Sequence, residues 1–229
     1  ICMEGTACFC ACELHKALEL FGAASENRYN LHKGVALDAM AGKAITLQLL
    51  HRPAEADKYL EELESFEKES NLAGQLRITE SCRARISLLR DDIPVAIEWE
   101  QTLNEVPGFA GLFVWMEIPA LTQIRVLIAS GRSASLKKVE GLLEFFLKVS
   151  EEYNLVNQML EASVLKSLLL AKQEQVEKAL EVLAEVISLA EPGHFIRPFI
   201  EAGPAMQGLL EKLLTRNDYP YYAKHLMSS

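Results

Sequence analysis

Four positions of this chain share one register, and that register restricts it to stacked helix pairs. His51, Asp91, Gly131 and Glu174 stand where one apolar helical stretch ends and the next begins, 40, 40 and 43 residues apart. Seven residues before them lie Ala44, Ala84, Ile124 and Ser167, and five residues after them lie Ala56, Ala96, Leu136 and Ala179. Small residues twelve apart across a tight turn let two antiparallel helices approach closely. Ala44 with Ala56, Ala84 with Ala96, and Ala179 with Ser167 therefore read as helix-packing pairs, and Gly131 as a turn position. A unit of about 40 residues that buries its apolar side only against its neighbours builds a solenoid.

The fold expected is all-α: a tetratricopeptide-like (TPR-like) superhelix of antiparallel helix pairs, closed by a C-terminal helical cap. We expect one solenoid domain over 1–229, with a partial N-terminal repeat at 1–28, four repeats at 29–191 and capping helices at 192–229. Half the residues are apolar but only 7% are aromatic, which suits helix-on-helix packing. Residues 8–21 read as one helix, the second of a repeat whose first helix is short or cut, because Ala17 lies 39 residues before Ala56. The full pairs are expected at 31–50 with 54–70, 72–89 with 93–104, 111–130 with 133–154, and 155–172 with 175–190. Pro53 suits a first helical position, Asp91 or Asp92 can cap the helix after it, and Gly131 is a natural stop. The third pair departs from the pattern. Ile124 and Leu136 replace the small residues, and Pro119 falls inside its expected first helix, where it would kink the backbone. After Pro192-Gly193 a short segment leads to a helix over 204–214, and a last helix is expected after Asp218, with Pro220 in its first turn.

A net charge of −9 argues against direct nucleic-acid contact, which needs clustered Lys and Arg. No apolar run approaches the roughly 18 residues of a membrane span. The first residues lack a basic stretch and do not read as a signal peptide, and a start without methionine reads as a processed or truncated piece of a longer protein. Four of the five cysteines crowd into residues 2–12. Their spacing is poor for a metal site even with His15 nearby, so they read as small buried thiols in a reducing cytoplasm.

No catalytic constellation is present: no phosphate-binding Gly-x-x-x-x-Gly-Lys, no Gly-x-Gly-x-x-Gly, no His-Glu-x-x-His. We therefore expect no enzyme, no catalytic residue and no metal. His51 reads as a polar substitute for glycine. Glu61-Glu62-Leu63-Glu64 and the run from Glu67 to Glu69 read as a solvated helix face. Arg85 and Arg125 each precede a turn position by six residues and are candidates to stand one above the other on the concave face. There they would capture an anionic group through charge-assisted hydrogen bonds. The competing and weightier reading is a salt bridge to a neighbouring helix, for instance with Glu80 or Glu117. Trp115, near Phe113, is a third candidate for ligand contact, although core packing is the commoner role of such a ring, as for Trp99.

The C-terminal third carries a more specific signal. LAEPGHFIRPFIEAGPAM at 189–206 resembles the segment that closes the helical-repeat sensor domain of MalT-like, LuxR-type transcriptional regulators. Ile124-Arg125-Val126-Leu127 before Gly131-Arg132, Ala84-Arg85-Ile86 before Asp91-Asp92, Ala96-Ile97-Glu98-Trp99, and Tyr221 to Leu226 are similar to other parts of that domain, so the resemblance spans about 29–226. It implies a cytoplasmic bacterial protein whose repeats sense a small inducer and relay its presence to self-association and transcription activation. It also implies an ATP-binding module and a helix-turn-helix module elsewhere in a parent protein, so no cofactor is expected here and ATP belongs to the missing module. From the terminal motif we carry over Phe195, Arg197, Phe199, Glu201 and Gly203, read mainly as a structural cap. The partners expected are a small-molecule inducer or a peptide, the regulator's other modules and a second copy, with neither membrane nor nucleic-acid contact. A TPR scaffold for protein partners alone is the alternative.

Overall fold

A computed structural model describes residues 1–70, 77–103, 116–216 and 221–228. The described residues are helical, with no strand among them, and they fall into two compact units, Ile1–Ser130 and Gly131–Ser229. The first unit holds α1 (Cys2–Cys10), α2 (Leu14–Glu26), a 3-10 turn (Arg28–Asn30), α3 (Lys33–Leu49), α4 (Pro53–Glu69), α5 (Ile78–Leu89), α6 (Ile93–Gln101) and α7 (Pro119–Ser130). The second holds α8 (Ser133–Glu152), α9 (Val156–Lys172), α10 (Val176–Ala190), a 3-10 turn (Glu191–Gly193), α11 (Arg197–Glu201), α12 (Gly203–Leu214) and α13 (Tyr222–Ser228).

The register is a backbone device. His51, Asp91, Gly131 and Glu174 have φ of 58°, 60°, 63° and 62°, and Cys12 joins them at 61°. At four of these five, all but Gly131, the described hydrogen bonds close a Schellman motif. The amide of His51 donates to the Gln48 carbonyl (3.0 Å) and that of Arg52 to Leu47 (3.0 Å). Asp91 and Asp92 repeat this on Leu88 and Ser87, Glu174 and Gln175 on Ala171 and Leu170, and Cys12 and Glu13 on Phe9 and Cys8. Two carbonyls left over at each of these four helix ends are satisfied this way. The left-handed geometry costs a non-glycine residue about 1 kcal/mol. Reversal of the chain is thus encoded by hydrogen bonding more than by glycine, and His51 acts as the glycine substitute that its position suggests.

Cys12 corrects the expected single helix over 8–21. The chain turns at Ala11–Glu13, so residues 2–26 form a complete pair with its own small residues, Gly5 and Ala17. A Cβ on Gly5 would lie 2.8 Å from the Phe21 ring and one on Gly42 2.9 Å from it. The ring is fully buried between α1 and α3, which explains two glycines inside helices where they ordinarily destabilise.

Two further expectations change. Pro119 is the first residue of α7, where its missing N–H is harmless, and the residues from Met116 to Ile118 are not helical; the expected kink is absent. Residues 72–76, 104 and 111–115 of the expected helices lie outside the described residues, as does Pro220. Glu67 is also not on a solvated face. It is buried, and its carboxylate accepts from the amides of Ile78 (2.9 Å) and Thr79 (3.1 Å). It caps α5, whose N-terminus starts from a left-handed Arg77 and has no side-chain cap of its own. Negative charge there also complements the helix dipole. Asp92, not Asp91, caps α6, accepting from Val95 (3.4 Å).

Candidate functional site

In a helix pair of this kind the first helices, α3, α5 and α7 in the first unit, form the face on which ligand contact was expected. Here α3 and α7 are buried almost all round, and the short stretch before α7, Met116–Ile118, is buried with them. Met116, Glu117 and Ile118 are 4%, 0% and 4% exposed.

The contacts of this segment are polar and specific. Asp38 on α3 accepts from the amides of Met116 (2.7 Å) and Glu117 (3.3 Å). Arg85 on α5 donates to the Met116 carbonyl and lies 3.3 Å from Glu117 Oε2. Glu117 Oε1 accepts from the hydroxyls of Ser81 on α5 and Thr122 on α7, the latter at 2.6 Å. Asp38, Ser81, Arg85, Glu117 and Thr122 are all less than 5% exposed. Charges removed from water persist only when their hydrogen-bonding capacity is met, and this cluster meets it from three helices and a loop.

The neighbours of the cluster are chemically quiet. Cys82 is fully buried, and desolvation pushes its thiol well above the ordinary range, with the charge of Glu117 adding to the effect. A thiol held neutral is a poor nucleophile. All five cysteines are free thiols. Gln123, also buried, donates to Glu100 on α6 (3.1 Å).

The sequence candidates separate as follows. Arg85 is buried and engaged by Glu117, one of the two partners proposed for it. Arg125 is half-buried on α7. Trp115 lies outside the described residues, immediately before the docked segment. Asp38, Ser81 and Thr122 were not anticipated, because single polar residues in apolar helices have no sequence signature. Asp38 alone offered a hint: it is the one carboxylate in α3.

The second unit presents a different surface. Between α8 and α9 runs a groove of about 580 Å³ whose floor includes Leu143, Leu147 and Leu169, with Lys148 and Lys166 beside it. Phe145 and Tyr153, both on or next to α8, are 59% exposed. In the terminal motif Phe199 is buried, and Arg197 lies 3.8 Å from Glu201 with both side chains mostly covered. Phe195 is half-buried, and Gly203 opens α12 with φ of 69°. No helix among the described residues is long and apolar enough to cross a membrane.

The family model describing the MalT-like TPR region matches residues 5–216. No curated protein matches the chain.

Proposed function

Since the chain belongs to the MalT-like TPR family, we propose that it is the sensor region of a LuxR-type transcriptional regulator, in which a small inducer meets the first-helix face of the first unit. One observation carries the reading: three successive first helices direct buried polar side chains, Asp38, Ser81, Arg85 and Thr122, at one place. Polar groups gathered away from water can give the polar atoms of a ligand well-defined partners. Ligand acts by favouring one of two arrangements of this face, and it shifts their balance only as far as its affinities for them differ. Self-association, ATP binding and promoter contact belong to other modules of the parent protein in this reading.

A scaffold for protein partners is the second reading, favoured by the α8–α9 groove and, separately, by the exposed Phe145 on α8. A thermal-shift screen against sugars, organic acids, aromatic metabolites and short peptides separates the two. Ligand at about 100 times its dissociation constant adds roughly 2.7 kcal/mol, a rise of several degrees. A response to one small-molecule class that Arg125→Ala or Ser81→Ala weakens supports the sensor. A response to peptides alone, weakened by Phe145→Ser, supports the scaffold.

A further inference from the structure

The docked segment is bound as a ligand is bound. Its two amides are taken by Asp38, its Met116 carbonyl by Arg85, and its carboxylate by Arg85, Ser81 and Thr122. Every one of these recognising groups comes from a first helix, and the carboxylate they surround comes from a residue outside any helix. A glutamyl unit with its flanking peptide bonds is what this set of donors and acceptors matches.

We infer that Asp38, Ser81, Arg85 and Thr122 form a binding site for a small acylated-glutamate-like carboxylate, which the chain's own Glu117 fills in the absence of that ligand. The inference rests on the sensor reading and names its ligand class. Two acceptor–donor pairings define the class. A carboxylate is required because two hydroxyls and a guanidinium converge on it, and a planar guanidinium beside hydroxyls suits carboxylate oxygens. An N–H donor on the same molecule matches the site because Asp38 accepts from two amides of the segment, and giving up such bonds to a buried carboxylate without replacement is unfavourable.

Competition with an internal occupant has a measurable consequence. A tethered group acts at high effective concentration, and a free ligand sees its affinity reduced by the fraction of molecules whose site is open. Removing the Glu117 carboxylate therefore lowers stability and at the same time raises affinity for the free compound. A merely structural ion pair gives the first effect without the second.

The test uses N-acetyl-L-glutamate as the probe, with N-acetyl-L-glutamine and sodium chloride of matched ionic strength as controls. Thermal shift and calorimetry are run on wild type, Glu117→Ala and Glu117→Gln. The expected result is a saturable rise in melting temperature for Glu117→Ala with N-acetyl-L-glutamate only, half-saturating at least tenfold below wild type. Adding Arg85→Met to Glu117→Ala abolishes it. If Glu117→Ala does not fold, Glu117→Gln keeps the volume while weakening the occupant, and the same tenfold change is expected of it. Equal responses to the probe and the controls in a folded variant overturn the inference. If, in addition, wild type responds to another compound class, the sensor reading survives and only the ligand class is wrong. A variant that binds the probe while wild type answers to nothing keeps the site and sinks the sensor reading.

Discussion

Among the described residues the first unit buries four charged side chains, Asp38, Glu67, Arg85 and Glu117, whereas the second covers a single pair, Arg197 with Glu201. Both units use the same left-handed turn, at Cys12, His51 and Asp91 in one and Glu174 in the other. Their difference therefore lies in what fills the space between helices. In the second unit Leu143, Phe146, Leu160, Leu168, Leu180 and Leu183 do so, and such packing tolerates exchange of one apolar residue for another. The first has an apolar core of the same kind, with Phe21, Leu37, Met40, Ile45, Leu60 and Leu121, but embeds in it hydrogen-bonded charges from separate helices, and these hold together only as a set. A solenoid can thus keep one repeat geometry while placing a demanding core in one stretch and a forgiving one in another.

The sharpest way to break this contrast is to remove one member of the buried cluster. Arg85→Met leaves the Glu117 carboxylate with fewer donors, and Asp38→Ala frees two buried amides. Each is expected to destabilise the first unit by about 3–5 kcal/mol, read as lost hydrogen-exchange protection in α3, α5 and α7. Leu168→Met in the second unit is expected to change stability by less than about 1.5 kcal/mol. Equal losses from the two would remove the distinction.

Next in size is the close approach around Phe21. Gly42→Ala puts a methyl group against the ring and is expected to destabilise by about 1–3 kcal/mol in chemical denaturation, with Phe21→Leu in the same chain restoring part of it. An unchanged midpoint for Gly42→Ala would mean that the ring is not confined as described.

The shared turns sharpen the comparison from the other side. Asp91→Gly in the first unit and Glu174→Gly in the second should each stabilise by up to about 1 kcal/mol, since the left-handed residue loses its steric penalty. Gly131→Ala should destabilise by a similar amount. A gain confined to one unit would show that the turns are not equivalent.

Smallest is a pH effect specific to the first unit. Burial raises the Cys82 thiol pKa well above its unfolded value, so the folded state retains a proton that the unfolded state releases. Its contribution is fully present below the unfolded pKa of roughly 8.5 and falls as pH rises beyond it. Denaturation midpoints between pH 8 and 10 should therefore fall less steeply in Cys82→Ala than in wild type, and identical slopes would show that the thiol does not titrate on unfolding.

Much of the architecture was legible before any coordinates. The spacing of His51, Asp91, Gly131 and Glu174 located the turns, because a helix end leaves polar groups that only a few local geometries satisfy. The first pair was half missed, since Cys12 carries no conventional turn signal and hydrophobic residues continue across it. Pro119 was misplaced for a related reason: the start of its helix depends on where Glu117 docks.

The candidate site was legible only in part. Arg85 stood out, and Glu117 was named as one of two partners for it, yet their neighbours Asp38, Ser81 and Thr122 were invisible. They lie 41 to 84 residues apart along the chain, and nothing in a local pattern records that Ser81 and Thr122 donate to Glu117 while Asp38 accepts from the amides beside it. Helix periods and turn chemistry are local properties, so the amino-acid order alone determined the all-α class, the 40-residue repeat and most helix ends. Which polar side chain is buried, which carboxylate caps α5 and which segment covers the first-helix face were decided by tertiary packing. Only there do distant groups compete for the same hydrogen bonds away from water.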